Sequence, residues 1–591
     1  MSRLMGRKNG PRGQGQSGKA APPSERAAFV DHWWGKSVLL LLSVALFTFA
    51  FAPFKQFYLA WIALVPWLLV VSRCRSALTA FAWSWIGGLG FFIANMWWLV
   101  YVTGPGLVAL MVVLGLYWGA SGAIIRRMEL LNQPGSPRSW RLIVDLFLIA
   151  FVWVGLSEWL RGAWPLGGLP WLYLGHTQSP VLHLCQVADL GGVYAVSFWV
   201  ALINAWIAAA VLRRGSRVQR NAGAATVLLV VIAVVGYGFY RFDQKTSRSG
   251  PTVMVVQPNY PQSNSGEKGA SELDILAFHL QMTERELKRR PGVDLVVWSE
   301  TMMPPLNADA AEFAQSLQTP YWQARAQLLQ RATQQLTELA RLHHTDLLVG
   351  ATFETGWTIN SKDIPTAADR RNSAFFYTPA GQSRLRYDKV HLVPFGEYLP
   401  FKSTIPPLYR LFLKLSPYPE DYDYTLTSGP ADALTVFSIK PGWRFVTPIC
   451  FEDIDAALVR KMLVSPDGRS RRADFIVNIT NDGWFKSNEM PQHLQAAIFR
   501  SIENRVPTAR SVNTGISGFI DALGRTSDLI PADSEGAAIA TISLDDRTSF
   551  YTRFGDLFAY FCAGIAALLA TTGFGRWWKQ RERKAQGTAT R

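Results

Sequence analysis

The sequence predicts a multi-pass α-helical membrane domain of about eight helices followed by an extracytoplasmic α/β domain. Three observations carry that expectation. Apolar runs of spanning length fill residues 37–240 and recur once near the end. Past Pro251 they give way to short β-rich segments alternating with amphipathic helices. Lysine and arginine gather in every second connection between the runs.

The apolar runs lie near 37–54, 57–72, 77–101, 105–125, 142–160, 190–212, 223–240 and 556–575. A spanning helix needs about 20 apolar residues, with some tolerance for tilt. With 17% charged residues, 23 tryptophans and a mean hydropathy of +0.10, the 591-residue chain is too apolar for an ordinary soluble protein and too long for one domain. Gly87, Gly88 and Gly90 read as a close helix-packing site without chemistry. Glu158 and Arg161 stand at i,i+3 near the outer end of the fifth run, ahead of a Trp/Gly/Pro-rich stretch through Leu174. They are candidates for phospholipid headgroup contact, the alternative being a local salt bridge capping the span.

Basic residues cluster in the tail 1–36, at Arg73 and Arg75, at Arg126, Arg127, Arg138 and Arg141, at Arg213, Arg214, Arg217 and Arg220, and after Arg576. These segments fall on alternate sides of the runs, which places both termini in the cytoplasm and residues 246–550 outside. They account for more than the whole net charge of +16. The high pI therefore reports topology, and no nucleic-acid partner is expected, because the basic residues are not interleaved with aromatics on one folded face. The Gly/Ser/Pro-rich first 36 residues are expected to be a disordered tail leading into an uncleaved anchor. The expected division is 1–36 tail, 37–245 membrane domain with about seven helices, 246–550 catalytic domain, and 551–591 final helix and basic tail.

In the outer region VMVVQ (253–257) leads to a helix near 269–290, DLVVWSE (294–300) to a helix near 320–343, and DLLVGATF (346–353) follows. A hairpin is expected at 373–387. WRFVTPI (443–449) runs abruptly into CFEDIDAALVRKML, and DFIVNIT (474–480) precedes a helix near 490–505 and strands near 508–512, 517–521 and 537–543.

This order sets Glu300, Lys389 and Cys450 beside strand ends, where the functional groups of open α/β sheets gather. A thiol is a weak nucleophile until a base takes its proton, and thioester formation needs a partner for the negative oxygen of the tetrahedral intermediate. A carboxylate, an ammonium and a thiol can divide that work. Of the four cysteines, Cys74, Cys185, Cys450 and Cys562, only Cys450 lies in the outer domain, and no CxxC or metal-type spacing occurs. A lone thiol outside the cytoplasm fits a nucleophile better than a disulfide framework. The strand-to-helix elbow at Cys450 is expected to aim the first helical amides at the thiol. There is no GxxxxGK[ST], no dinucleotide fingerprint and no HExxH, so neither cofactor nor metal is expected. His343 and His344 are expected at a solvent-facing helix end, and His493 as a satisfied structural histidine, with lining of the site as the alternative.

Glu300 after a strand, YDKVHLVPFGEYLP around Lys389, PICFED around Cys450, and NITNDGWF (478–485) with His493 downstream resemble the nitrilase superfamily. With its flanking spans the chain resembles the apolipoprotein N-acyltransferase family over nearly its whole length. The resemblance implies seven spans, an outer α-β-β-α sandwich and one final span. It implies Glu300 as general base, Lys389 as the cation at the oxyanion, Cys450 as nucleophile, and supporting roles for Glu397 and Glu452. Phe451 and Trp484 are candidates for substrate or lipid contact. The pattern departs at Ser299, where proline is usual, at Phe451, where tyrosine is expected, and at Ser-Asn-Ser-Gly ending in Gly266, where an aromatic is expected.

The activity so implied is transfer of a fatty acyl group from a phospholipid, phosphatidylethanolamine, through a cysteine thioester to the α-amino group of a diacylglyceryl-cysteine apolipoprotein. It implies a monomer in a bacterial inner membrane. The residues alone also accommodate a membrane-anchored amidase that hydrolyses amides, or a non-catalytic lipoprotein-binding module. Lys389, between carboxylates, is expected to stay protonated and act as an electrophile. The Leu/Phe/Tyr/Pro-rich segment 399–424, with Leu411 and Phe412, is read as a mobile arm touching the bilayer, the alternative being an ordinary packed helix and loop.

Overall fold

The computed structural model describes residues 30–131, 140–244, 247–262, 269–359, 364–415, 425–468, 470–485 and 488–589. The expected tail 1–29, Arg138, the stretch ending at Gly266 and the 416–424 part of the arm lie outside the described residues. Among the described residues, seven helices are long and apolar enough to cross a membrane: Trp33–Ala50, Ala77–Tyr101, Gly104–Arg127, Arg141–Ala163, Val193–Val211, Arg217–Asp243 and Leu557–Arg576.

The remaining expected run is a shorter apolar helix, Phe57–Ser72, broken into Phe57–Leu59, Ala60–Ala63 and Val65–Ser72. The last break precedes Pro66, which has no amide to give the preceding turn. Asn204 compensates, accepting from the Leu64 amide at 2.9 Å and donating to the Ala60 carbonyl at 2.8 Å. Glycines bring helices close, as expected: a Cβ on Gly88 would lie 3.0 Å from Gly115 Cα, while Gly87 and Gly90 face Leu40 and Val44. Arg126 Nε donates to the Cys74 carbonyl at 2.5 Å and Arg127 Nε to the Gly573 carbonyl at 3.0 Å. Three of the basic segments therefore share one end of the bundle.

Among the described residues the α/β domain holds two six-stranded sheets. In the first, β1 (Ser247–Gln257), β2 (Leu295–Met303) and β3 (Asp346–Ile359) run parallel, flanked by antiparallel β12 (Gly536–Asp545) on one side and by β4 (Pro365–Thr378) and β5 (Gly381–Asp388) on the other. The second is β6 (Phe437–Ile439), β7 (Trp443–Val446), β8 (Phe475–Thr480), β9 (Thr508–Val512), β10 (Ser517–Ile520) and β11 (Thr526–Ile530), parallel from β7 to β9. Strand periodicity decides the layers. Val253, Val255, Leu295 and Val297 join a core with Phe445, Phe475 and Val477 between the sheets. Their neighbours Met254, Val256, Val296 and Trp298 face Ile275, Leu336 and Leu339 of the helices Glu272–Arg289 and Pro320–His343. The result is the α-β-β-α sandwich.

Helix Glu489–Asn504 joins the two domains. Every residue in it except Pro491 is buried, and its Leu494, Ile498, Phe499 and Ile502 belong to the same apolar cluster as the membrane helices. Polar side chains fix the contact: Gln492 Oε1 accepts from Trp171 Nε1 at 3.0 Å, Gln495 Oε1 from the Ala52 amide at 3.2 Å, and Glu503 Oε1 from the Val193 amide at 2.9 Å. Just beyond the helix, the Arg505 guanidinium donates to Asp189 at 2.7 and 3.0 Å and to Gln186 Oε1 at 2.6 Å.

Candidate active site

Glu300 sits where β2 leaves register with β3, since pairing is regular from Leu295 to Trp298 and resumes at Met303. A Cβ on Gly350 would lie 2.4 Å from the Ser299 carbonyl, so the neighbouring strand must carry glycine there. Thr301 follows at φ +50°, a left-handed conformation rare for a β-branched residue. Lys389 directly follows β5, its amide donating to the Asn372 carbonyl at 2.8 Å. Its Nζ, in a side chain only 1% exposed, lies 2.9 Å from Glu397 Oε1 and 3.4 Å from Glu300 Oε1.

Cys450 comes one residue after the Ile449–Ile479 bridge, at φ +51°, and opens a 3₁₀ turn, Cys450–Ile454. A left-handed non-glycine residue at a strand end is the backbone of a nucleophile elbow. The expected run of helical amides behind the thiol is displaced. The helix proper begins at Ala456, and Asp455 caps it, accepting from the Leu458 amide at 3.0 Å.

The three groups meet. The Cys450 thiol and the Glu300 carboxylate are electrostatic neighbours, each acting on the other's proton. Burial raises the Glu300 carboxyl above its ordinary value, opposed by the Lys389 charge and reinforced by Glu397. Burial, then the Glu300 charge, lifts the Cys450 thiol well above its ordinary value, so the nucleophile rests as a neutral thiol beside its base. Burial works against the Lys389 ammonium, but the Glu397 and Glu300 charges outweigh it and hold Lys389 protonated.

Glu397 and Glu452 support this trio from different sides. Glu397 Oε2 accepts from the Val393 amide at 2.8 Å, which leaves Oε1 for Lys389. Glu452 accepts from the amides of Val390 (2.7 Å), His391 (2.9 Å) and Ile449 (2.8 Å) and from the Tyr387 hydroxyl (2.9 Å), so it ties the Lys389 segment to the elbow. Sequence reasoning missed Asn372. Its Nδ2 donates to Glu300 Oε1 at 2.5 Å and to Glu397 Oε1 at 3.2 Å, while its Oδ1 has no hydrogen-bond partner among the described residues. The hairpin register was the available signal: Ser373 pairs with Asp388, which sets Asn372 opposite Lys389.

His493 lies behind the nucleophile, its Nε2 2.7 Å from Asp453 and its Nδ1 3.0 Å from Asp482 and 3.3 Å from Glu489. The ligating atoms of Asp482, Glu489 and His493 fall within 4.8 Å of one another, but the Arg510 guanidinium already faces Asp453 and Asp482. The cluster reads as a buried ion network. Phe451 stacks edge-on against His391, with centroids 5.3 Å apart, and Trp484 is half-buried in the turn Asp482–Trp484, next to Phe485, which packs on Trp98. Leu411, 51% exposed, and Phe412 lie on helix Pro406–Leu415, where Phe412 packs on Phe395 in the turn leading to Glu397.

Glu158 and Arg161 are both buried, and no ion pair joins them among the described residues. Glu158 Oε1 accepts from the Leu174 amide at 2.8 Å and from Trp153 Nε1 at 3.1 Å. Arg161 donates to the carbonyls of Ser157, Leu169 and Trp171 at 2.7–2.8 Å. They hold the loop 164–174 from within and present no surface to headgroups.

The sequence profile described as carbon-nitrogen hydrolase matches residues 252–551, and that described as apolipoprotein N-acyltransferase N-terminal domain matches residues 43–206. An apolipoprotein N-acyltransferase of Geobacter metallireducens is 29% identical over 536 residues, covering 88% of this chain and 91% of that protein. One from Chlorobaculum tepidum is 28% identical over 526 residues, 87% and 91% of the two chains. The crystal structure of Saccharomyces cerevisiae Nit3, a member of branch 10 of the nitrilase superfamily, matches with a TM-score of 0.33 at 18% identity, over 51% of this chain and 93% of that one.

Proposed function

The chain belongs to the carbon-nitrogen hydrolase family, and from that premise we propose that it is a membrane-embedded N-acyltransferase. Its acyl donor is a phospholipid, phosphatidylethanolamine, and its acceptor the α-amino group of the diacylglyceryl-cysteine at the N-terminus of an apolipoprotein. Relatives that match over nearly the whole of both chains are named apolipoprotein N-acyltransferase, which supports the reaction class. The observation that carries the reading is the meeting of buried Glu300 and Lys389 with half-buried Cys450, beside a helix packed into the membrane domain.

Glu300 takes the Cys450 proton as sulfur attacks the ester carbonyl, and the Lys389 ammonium faces the negative oxygen that forms. The intermediate collapses by breaking the carbonyl–oxygen bond of the ester. Glu300 returns the proton to the departing lysophospholipid alkoxide, which leaves an acyl-thioester on Cys450. The acceptor amine then attacks that carbonyl while Glu300 accepts an amine proton. The carbon–sulfur bond breaks, Cys450 regains its proton and an amide leaves. Acylation and aminolysis thus alternate in a ping-pong cycle.

Orientation follows from the basic segments. The contacts of Arg126 with Cys74 and Arg127 with Gly573 favour one cytoplasmic end carrying them, hence a periplasmic α/β domain at an inner membrane, with both termini cytoplasmic. Helix Pro406–Leu415, with Leu411 outward, is the lipid-facing part of the arm.

The test is purified protein with phosphatidylethanolamine and a diacylglyceryl-cysteine peptide. The expected products are lysophospholipid and N-acyl peptide in equal amounts. Free fatty acid with unmodified peptide would identify a hydrolase instead.

A further inference from the structure

At the outer ends of the Arg141–Ala163 and Val193–Val211 helices, next to the start of the final helix, the seam with the α/β domain leaves a cavity of ≈ 380 Å³. Small residues make the room: Gly162, Ala163 and Gly167 on the membrane side, Ala456 and Ala457 on the other. Gly167 stands at φ +87°, and a Cβ there would lie 2.5 Å from His391 Nε2, so a side chain at that position would fill the space.

The polar lining carries both signs. Lys461 is exposed and has no ion-pair partner among the described residues. Against it stand the carboxylates of Asp455 and Asp556. His391 Nδ1 pairs with Asp455 Oδ2 at 2.9 Å, while its Nε2, shielded from solvent, has no hydrogen-bond partner among the described residues. This lining matches a ligand that itself carries a cation and an anion.

Depth narrows the ligand further. Trp159, on the cavity wall, stacks edge-on against Tyr560 of the final helix at 5.3 Å, and Tyr560 is 54% exposed. Tryptophan and tyrosine take such positions at the headgroup level of a bilayer. Phe451, next to Cys450 in the chain, stacks on His391, so the cavity backs onto the nucleophile through two rings.

We propose that this cavity seats the zwitterionic headgroup of the acyl-donating glycerophospholipid, its phosphate at Lys461 and His391 and its ammonium at Asp455 and Asp556. The assignment rests on the acyl-transfer reading above and adds to it a donor-selecting site outside the Glu300, Lys389 and Cys450 cluster.

The full-length protein in mixed micelles would be assayed with phosphatidylethanolamine, with phosphatidylglycerol of the same chains, which has the phosphate but no ammonium, and with a p-nitrophenyl acyl ester, which has no headgroup. Asp556→Asn, which keeps an acceptor for the Tyr551 hydroxyl that donates to Asp556 Oδ1 at 2.7 Å, is expected to narrow the ethanolamine-to-glycerol preference in kcat/KM about tenfold. Lys461→Ala is expected to raise KM for both phospholipids by a similar factor. Ala457→Leu, which fills the space, is expected to raise phospholipid KM more than ester KM. Unchanged preference in Asp556→Asn, or equal losses with phospholipid and ester in all three variants, overturns the headgroup site. Failure of the wild-type protein to be acylated by any phospholipid would instead overturn the donor reading on which the site depends.

Discussion

The Tyr387 hydroxyl, at the end of one sheet, donates to both carboxylate oxygens of Glu452, at the elbow of the other, at 2.9 and 3.0 Å. Both residues are buried, and the same carboxylate gathers the amides on either side, from Val390 and His391 after Lys389 and from Ile449 before Cys450. The distance between the electrophile's segment and the nucleophile's is therefore set by one acid that need not touch substrate.

Glu452→Gln places an amide N–H₂ against groups that are all donors. A stability loss of about 2–3 kcal/mol is expected, because buried donors lose their acceptor. Tyr387→Phe removes one donor, shared between the two carboxylate oxygens, and is expected to lose about 1 kcal/mol. Thermal unfolding in detergent gives both values, and equal effects would show that the amide contacts carry nothing.

Glu300→Gln removes the base and is expected to slow Cys450 acylation by about 10²–10⁴-fold. Because burial raises the Glu300 carboxyl, the acidic limb of the wild-type pH–rate profile is expected above the ordinary value of 4.5. Lys389→Gln is expected to lose about 10²–10³ in kcat, since no other cation faces both carboxylates among the described residues. A Lys389→Gln enzyme with wild-type kcat would remove lysine from the chemistry.

The buried acids give a pH signature of stability. Burial lifts Glu452 and Glu503 to about 7 and Glu489 to about 8, against an ordinary value of 4.5. Between those limits the folded state binds more protons than the unfolded chain, so their contribution falls as pH rises through 4.5 to 8. For His493 burial acts against the charge, but Asp453 outweighs it and holds the imidazolium well above 6.5. Its contribution is complete below 6.5 and lost as pH rises through the folded value. A melting temperature several degrees lower at pH 9 than at pH 6 is expected, and a flat profile would contradict the charge state of this network.

Leu411→Ser with Phe412→Ser removes the apolar face of helix Pro406–Leu415. Turnover of phospholipid is expected to weaken while acylation by a short soluble thioester persists. Equal loss of both would make the helix part of the scaffold.

Most of this site could be read from residue order because Glu300 lies late in one β-rich run while Lys389 and Cys450 follow others, and those runs are visible in the sequence. The two-sheet core was implied by the family resemblance, since 253–256 and 295–298 are apolar at every position and their two faces separate only in the fold. What could not be read depends on register or on long-range pairing. Asn372 is an ordinary polar residue until hairpin pairing sets it opposite Lys389. Glu158 and Arg161 resembled headgroup ligands because an i,i+3 pair near a span end looks alike whether it faces lipid or a folded loop. The 57–72 run has the composition of a span, but it is divided before Pro66, where Asn204 bonds the Leu64 amide and the Ala60 carbonyl. The capping of the Ala456 helix by Asp455 was legible in principle, yet the 3₁₀ turn that separates it from Cys450 was not.

The most direct test of the covalent step is the intact mass of the purified protein after incubation with phospholipid alone. One added fatty acyl group on wild type, absent from Cys450→Ala and discharged on adding a diacylglyceryl-cysteine peptide, is the predicted result. An unmodified mass under conditions where N-acyl peptide still forms, or an acyl group retained by Cys450→Ala, would contradict it.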